Sequence, residues 1–278
     1  MAVNYEDRLR RVIAHIYDNP AGDLSLDALA DVAALSRFHW HRIFHAMTGE
    51  TCAEAVRRIR LHLASIWLVQ SDQPVNDIAA RAGYDNPQSF SRAFRATFGE
   101  TPAAYRKSGR PQPAALLLKE YIGPMFNVEI RDLPALNLVG VPHKGAYHEI
   151  GKAYADVDAV MSSRKLWDQA RGMVAIYLDD PTSVALEDLR SFAGIKVVNG
   201  FEMPETFKTH KTPSGRHAVL RFTGAYSGLQ GAYDYLYGQW FAASGESPSD
   251  APSYEVYLNS PMDTAPQDLI TDICTPLR

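Results

Sequence analysis

Residues 26–51 (LDALADVAALSRFHWHRIFHAMTGET) and 75–101 (VNDIAARAGYDNPQSFSRAFRATFGET) can be laid over one another. Arg42, Phe44, Gly49, Glu50 and Thr51 then stand 50 positions before Arg92, Phe94, Gly99, Glu100 and Thr101. Toward the front the offset falls to 49, with Leu29-Ala30 over Ile78-Ala79. The second copy therefore carries one extra residue in its turn, where a loop tolerates it. Each copy reads as a short helix, a tight turn and a longer helix with an apolar stripe: Leu26, Leu29, Ala30 and Ala33, then Phe38, Ile43, Phe44 and Met47. That is the helix-turn-helix pattern, used twice.

A further helix is predicted over about 4–18, where Tyr5, Leu9, Val12, Ile13, Ile16 and Tyr17 make one stripe before Asn19-Pro20-Ala21-Gly22 stops it. Between the copies, 51–70 holds neither Gly nor Pro and predicts a linking helix of roughly 30 Å, close to one turn of DNA. Two reading helices on such a spacer could reach successive major-groove segments. Charge is a weaker guide. Residues 1–113 hold 14 Lys and Arg, 13 of them Arg, against 12 Asp and Glu, and the rest of the chain holds 14 against 20. Arginine forks onto phosphates and guanine edges, but a net of +2 is little.

The remainder contains a second duplication. GAYHEIGKAY at 145–154 recurs as GAYSGLQGAY at 224–233, an offset of 79, and IYLDDP at 176–181 recurs as VYLNSP at 256–261, an offset of 80. An alternating strand, a Gly-Ala-Tyr turn, a helix (about 150–167, then 228–243) and another strand predict an α+β domain of two strand-helix-strand copies. A pseudo-two-fold of this kind leaves a concave seam suited to a ligand. The Gly- and Pro-bearing stretch after Arg106 marks a connection over 109–124, so the expected division is 1–108, 109–124 and 125–278.

Glu255 is the most informative residue of the seam. Alternation puts Ser253, Glu255 and Tyr257 on one face and Tyr254, Val256 and Leu258 on the other. The repeat puts Ala175 in the matching place of the first copy, so the carboxylate is not something the fold itself requires. A carboxylate among aromatics suits an organic cation. Tyr147, Tyr177, Tyr226, Trp240 and Tyr257 are the candidate walls, though such aromatics serve equally in cores.

Cys52 and Cys274 are the only cysteines and are far apart, which excludes a disulfide framework and paired-thiolate zinc sites. Of His39, His41 and His45, the last two share a helix face but have no third ligand placed nearby, so no metal or other cofactor is expected. No apolar run reaches membrane-spanning length, and the first residues alternate charge with apolar character instead of following signal-peptide layout, so a cytoplasmic location is expected.

Over essentially its whole length the front region resembles the AraC/XylS family of transcription regulators. The resemblance is carried by Ile78-Ala79, Gly83-Tyr84, Phe90-Ser91-Arg92-Ala93-Phe94, Gly99, and Thr101-Pro102 followed by Tyr105-Arg106, while Ala34-Leu35 replaces a common glycine turn. It implies an all-α domain of two helix-turn-helix units joined by a linker helix. It further implies double-stranded promoter or operator DNA as a partner, with RNA polymerase as a further one. Carried onto this chain, the reading face of the first unit is Arg37, Phe38, His41 and Arg42, with His45 beside them, and that of the second is Gln88, Ser91, Arg92 and Arg95. Arg42 and Arg92 occupy equivalent positions, and each could read guanine, touch phosphate or brace the module. Phe38 could meet a thymine methyl or join the core.

The back half, over about 126–277, resembles the GyrI-like effector-binding family, of SHS2-type fold, through Gly224-Ala225-Tyr226-Ser227, Pro252 to Tyr257 and Thr271 to Leu277. The domain order is Rob-like. This resemblance implies a small-molecule effector, aromatic or cationic and hydrophobic, with Glu255 as the ligand-contacting acid. Two alternatives stay open: a small-molecule hydrolase using Glu255, with His148 as a conceivable assistant, and a protein-docking module. No nucleophile elbow, phosphate loop or catalytic triad supports the first.

Overall fold

The structure is a computed structural model that describes residues 5–108, 123–179, 181 and 184–278. The expected connection at 109–124 lies outside the described residues except for 123 and 124. Two compact units form, and they do not follow chain order. Tyr5–Ala34 belongs with the described part of Thr48–Lys119, whereas Leu35–Met47 belongs with the described part of Glu120–Arg278.

The first unit is helical. α1 (Tyr5–Asp18) buries Tyr5, Leu9, Val12 and Ile16, the predicted stripe. α2 (Leu26–Ala33) starts at Ser25, whose hydroxyl accepts the amide of Ala28, and ends at Ala34 with φ 53°. The left-handed turn that glycine often fills is thus made here by alanine. α3 (Arg37–Thr48) follows, and its residues to Met47 fall in the other unit. α4 (Cys52–Gln70), the predicted linking helix, opens with a capping box in which Thr51 and Glu54 satisfy each other's backbone amides.

The second copy consists of α5 (Val75–Arg81) and α6 (Pro87–Phe98), the latter capped by the Asn86 side chain and closed by Gly99 at φ 79°. α7 (Pro102–Ser108) completes the unit. Phe90, Phe94 and Tyr105 form its aromatic centre with Leu61, Ala64, Leu68 and Ile78. The Arg106 guanidinium donates to the carbonyls of Leu68 and Gln73, tying α7 to the end of α4. These contacts give the Tyr105-Arg106 pair a structural reason to exist.

The second unit is an α+β layer on an eight-stranded sheet. Its elements are β1 (Val128–Leu133), β2 (Asn137–Lys144), α8 (Gly151–Ser163), β3 (Ala170–Tyr177), β4 (Arg190–Val197), β5 (Lys208–Lys211), β6 (Gly215–Thr223), α9 (Leu229–Tyr235), α10 (Phe241–Ser244), β7 (Tyr254–Tyr257) and β8 (Ile270–Pro276). A wide π turn at Leu236–Trp240 joins α9 to α10. The strand order β1-β6-β8-β7-β3-β4-β2-β5, antiparallel at every pairing, reads as one four-strand set followed by its two-fold image. The edge strands are exchanged: β1 precedes β2 in the chain but pairs with β6, and β5 precedes β6 but pairs with β2. Among the described residues no helix is long and apolar enough to cross a membrane.

Gly83, in the turn between α5 and α6, has φ +77°, and a Cβ there would sit 2.5 Å from the Pro20 carbonyl oxygen. A backbone carbonyl cannot yield cheaply. Gly83→Ala is expected to cost about 1–3 kcal/mol, read as a lower denaturant midpoint at unchanged slope.

Candidate functional site

Strand pairing decides where the carboxylate goes. β3 and β7 run antiparallel with Met173 opposite Tyr257, Val174 opposite Val256, Ala175 opposite Glu255 and Ile176 opposite Tyr254. With the repeat offset of 80, Ala175 is paired with its own counterpart, so this pair marks the pseudo-two-fold axis. The charge that breaks the symmetry sits where the two halves meet.

Alternation then sorts the faces. Met173, Tyr177, Glu255 and Tyr257 line a cavity of about 860 Å³, within the range of small-molecule sites. Val174, Ile176 and Tyr254 go to a core on the other side, with Leu138, Phe192 and Val219.

Six tyrosines form three repeat-related pairs around the cavity: Tyr147 with Tyr226, Tyr154 with Tyr233, and Tyr177 with Tyr257. Tyr154 and Tyr233 close the two decapeptide repeats, a signal present in the sequence but not used. Tyr147 packs edge-on to Tyr177 with centroids 4.7 Å apart, and Tyr226 lies 5.4 Å from Tyr257. Leu186, Tyr226, Trp167 and Met262 line the cavity and are also exposed, so its mouth is apolar. Trp240, expected as a wall, is not among the lining residues. Along α9 and the π turn that follows it, the cavity face runs Gln230, Tyr233, Asp234 and Tyr237, whereas Trp240, the last residue of that turn, packs against Phe241.

Glu255 is 2% exposed. Tyr233 donates its hydroxyl to Oε1 at 3.0 Å, and Tyr257 donates to Oε2 at 3.0 Å. Since the Tyr257 proton is committed to the carboxylate, the 2.9 Å contact between the Tyr177 and Tyr257 hydroxyls has Tyr177 as donor. The Tyr147 hydroxyl is held by backbone, accepting from the Asp179 amide, and presents only its ring. Burial pushes the Glu255 carboxyl up to about 7, against the opposing pull of the Tyr257 and Tyr233 hydrogen bonds and the Arg42 charge.

The longer helix of the first helix-turn-helix copy, α3, lines this same cavity, a placement its local pattern does not announce. Arg42 and His45 of α3 are among its lining residues. The Arg42 guanidinium lies 4.3 Å from the Tyr233 ring centre and 5.6 Å from that of Tyr237. One turn earlier, His39 is fully buried, with Nδ1 2.8 Å from the Tyr237 hydroxyl and Nε2 2.8 Å from the Ala251 carbonyl oxygen. A carbonyl only accepts, so Nε2 carries the proton and Tyr237 donates to Nδ1. Ser253 must then donate to Tyr237, and Thr275 to Ser253, each at 2.7 Å. Burial holds His39 down at about 3, as this neutral tautomer requires. Gly238 lets the helix approach, because a Cβ there would lie 2.9 Å from that of Ala46.

The other expected DNA residues are placed as follows. Arg37 is exposed and Phe38 half-buried. His41, expected on the exposed face, is instead 5% exposed, with Nδ1 donating to the Arg37 carbonyl at 2.6 Å. On α6, Gln88, Arg92 and Arg95 are exposed and Ser91 half-buried, a single face at i, i+4 and i+7. His148 is exposed. Among the described residues no group of three His, Cys, Asp or Glu could hold a metal ion.

Comparison with known proteins bears on both halves. The profile of the GyrI-like small molecule binding domain matches residues 126–278, and that of a helix-turn-helix domain matches 29–108. Regulatory protein SoxS of Escherichia coli (strain K12) is 33% identical over 104 residues, 37% of this chain and 97% of SoxS. Right origin-binding protein of Escherichia coli (strain K12) is 39% identical over 85 residues, 31% of this chain and 29% of that protein. The DNA-binding domain of AdpA, solved with a target DNA, is 30% identical over 36% of this chain and 91% of that chain, with TM-score 0.35. The EcmrR C-terminal domain is 13% identical over 56% of this chain and 99% of that chain, with TM-score 0.46.

The raised Glu255 makes a signed prediction. Between about pH 4.5 and 7 the folded chain keeps a proton on Glu255 that the unfolded chain has lost, so this group's contribution is full below 4.5 and is lost as pH rises to 7. His39 acts oppositely between about 3 and 6.5, where the unfolded chain is the better proton binder. The difference between wild type and Glu255→Gln isolates the first effect. Glu255→Gln should gain on wild type by up to about 3 kcal/mol from pH 4.5 to 8 in denaturant titrations, and a constant difference would refute the assignment.

Proposed function

The chain belongs to the GyrI-like small-molecule-binding family and carries an AraC-type helix-turn-helix domain ahead of it, a DNA-binding transcription regulator in outline; on that premise we propose that its effector is a hydrophobic aromatic or cationic molecule held against Glu255. The observation that carries this reading is the buried carboxylate on the axis of a cavity walled by three pairs of tyrosines. An aromatic cation gains ring contacts on several sides and a charge partner at the base. With the carboxyl near 7, the same site accepts a neutral aromatic while protonated.

In this reading the regulator acts in the cytoplasm and not as an enzyme, the curated relatives SoxS and Right origin-binding protein being named for regulation and DNA binding. Residues 1–108 bind DNA, 109–124 connect and 125–278 bind the effector. DNA is read by Arg37, Phe38 and Arg42 of α3 and by Gln88, Ser91, Arg92 and Arg95 of α6, and RNA polymerase is the further partner. Buried His41 supports its helix instead of touching bases.

Two measurements on the full chain test this. Rhodamine 6G, an aromatic cation, should bind wild type in a fluorescence anisotropy titration and lose tenfold or more in affinity with Glu255→Gln, and equal binding by both would remove Glu255 from the site. With a duplex selected by the protein from a random pool, Arg92→Ala should lower affinity by about 5- to 150-fold and Glu255→Gln leave it within twofold. Salt dependence should be steep in both cases.

A further inference from the structure

The effector cavity already holds a cation, and that cation belongs to the DNA-reading helix. Arg42 lies over the face of Tyr233, the tyrosine whose hydroxyl donates to Glu255, and it lines the cavity together with His45. Helical spacing separates its neighbours cleanly. Trp40, Ile43, Phe44 and Met47 form a buried stripe, His39 and Ala46 meet Tyr237 and Gly238, and Arg37 and Phe38 lie on the remaining side. Arg42 stands at the edge between the last two, long enough to turn either way.

We infer that Arg42 is a resident competitor for the effector site: a cationic effector displaces its guanidinium from the Tyr233 face, and the displaced side chain becomes available to the DNA side of α3. This rests on the reading of the cavity as an effector site. The physical reason is that two cations cannot share one aromatic face and one carboxylate without repulsion at low dielectric. His39, bonded at both ring nitrogens to the sheet unit, holds α3 in place while the arginine moves. Ligand occupancy and DNA reading are thereby coupled through one side chain, and the coupling is reciprocal.

The test uses the full chain, tetraphenylphosphonium as the cation and calorimetric titration. Arg42→Gln, which removes the resident charge, should bind tetraphenylphosphonium about 2- to 30-fold more tightly than wild type, the range a cation-π contact spans. Arg42→Lys, which keeps the charge, should gain less. Glu255→Gln should bind it at least tenfold more weakly. Saturating tetraphenylphosphonium should tighten wild-type binding to a duplex selected from a random pool and leave Arg42→Gln binding unchanged. If Arg42→Gln and Arg42→Lys bind the probe no better than wild type while Glu255→Gln still loses it, Arg42 is no competitor and the inference falls, leaving the effector site intact. If wild type and the Arg42 variants all fail to bind the probe, the cation reading of the cavity falls and takes this inference with it. If the probe binds but wild-type affinity for the duplex does not change, the coupling to DNA is overturned.

Discussion

Everything in the sheet unit that bears on chemistry depends on the pairing of β3 with β7. Those few residue pairs join the two halves, and their register puts Ala175 against Glu255 on the axis. A slip by one residue would send the carboxylate to the packed face with Tyr254 and Val256 and take the tyrosines out of the cavity. Because the register holds, a carboxylate that would be expensive to bury alone is met by a hydroxyl on each oxygen. Burial pushes the carboxyl up to about 7, so at neutral pH its protonated and ionised forms are close in free energy. The site can therefore present either a neutral acid or an anion to a bound small molecule, which a fixed ion pair could not.

The repeats made much of this legible. Offsets of 49 and 50 gave the helical copies, and 79 and 80 gave the strand-helix-strand copies, because identical local patterns must make similar local structures. Period-2 alternation sorted Glu255 from Tyr254. The same repeat contained Tyr154 and Tyr233, but nothing in a strand or helix pattern says which aromatic of a repeated decapeptide points inward. Trp240 was misplaced for a related reason. Trp240 ends a π turn, whose extra residue changes which side chains of the helix face the cavity.

The largest gap was α3. In HWHRIFHAMT the histidines look like surface residues, and a histidine at a buried position is unusual unless both nitrogens are bonded. His39 meets that condition only through Tyr237 and Ala251, about 200 residues away in sequence. No local signal could announce partners so distant. Compactness consequently groups Leu35–Met47 with the sheet unit although the sequence pattern places those residues in the first helical repeat.

The way α3 is held also limits how it can respond. Lifting it from the sheet unit would strand a neutral imidazole, the Tyr237 hydroxyl and the Ala251 carbonyl, each at about 1–3 kcal/mol if unsatisfied. Turning Arg42 away forfeits its cation-π contacts with Tyr233 and Tyr237, each of about 0.5–2 kcal/mol. A ligand can shift an equilibrium only by its differential affinity for the two states. A small molecule that contributes a few kcal/mol of such preference can move the arginine and cannot unseat the helix, so the least costly response of this architecture is a side-chain exchange at a fixed backbone.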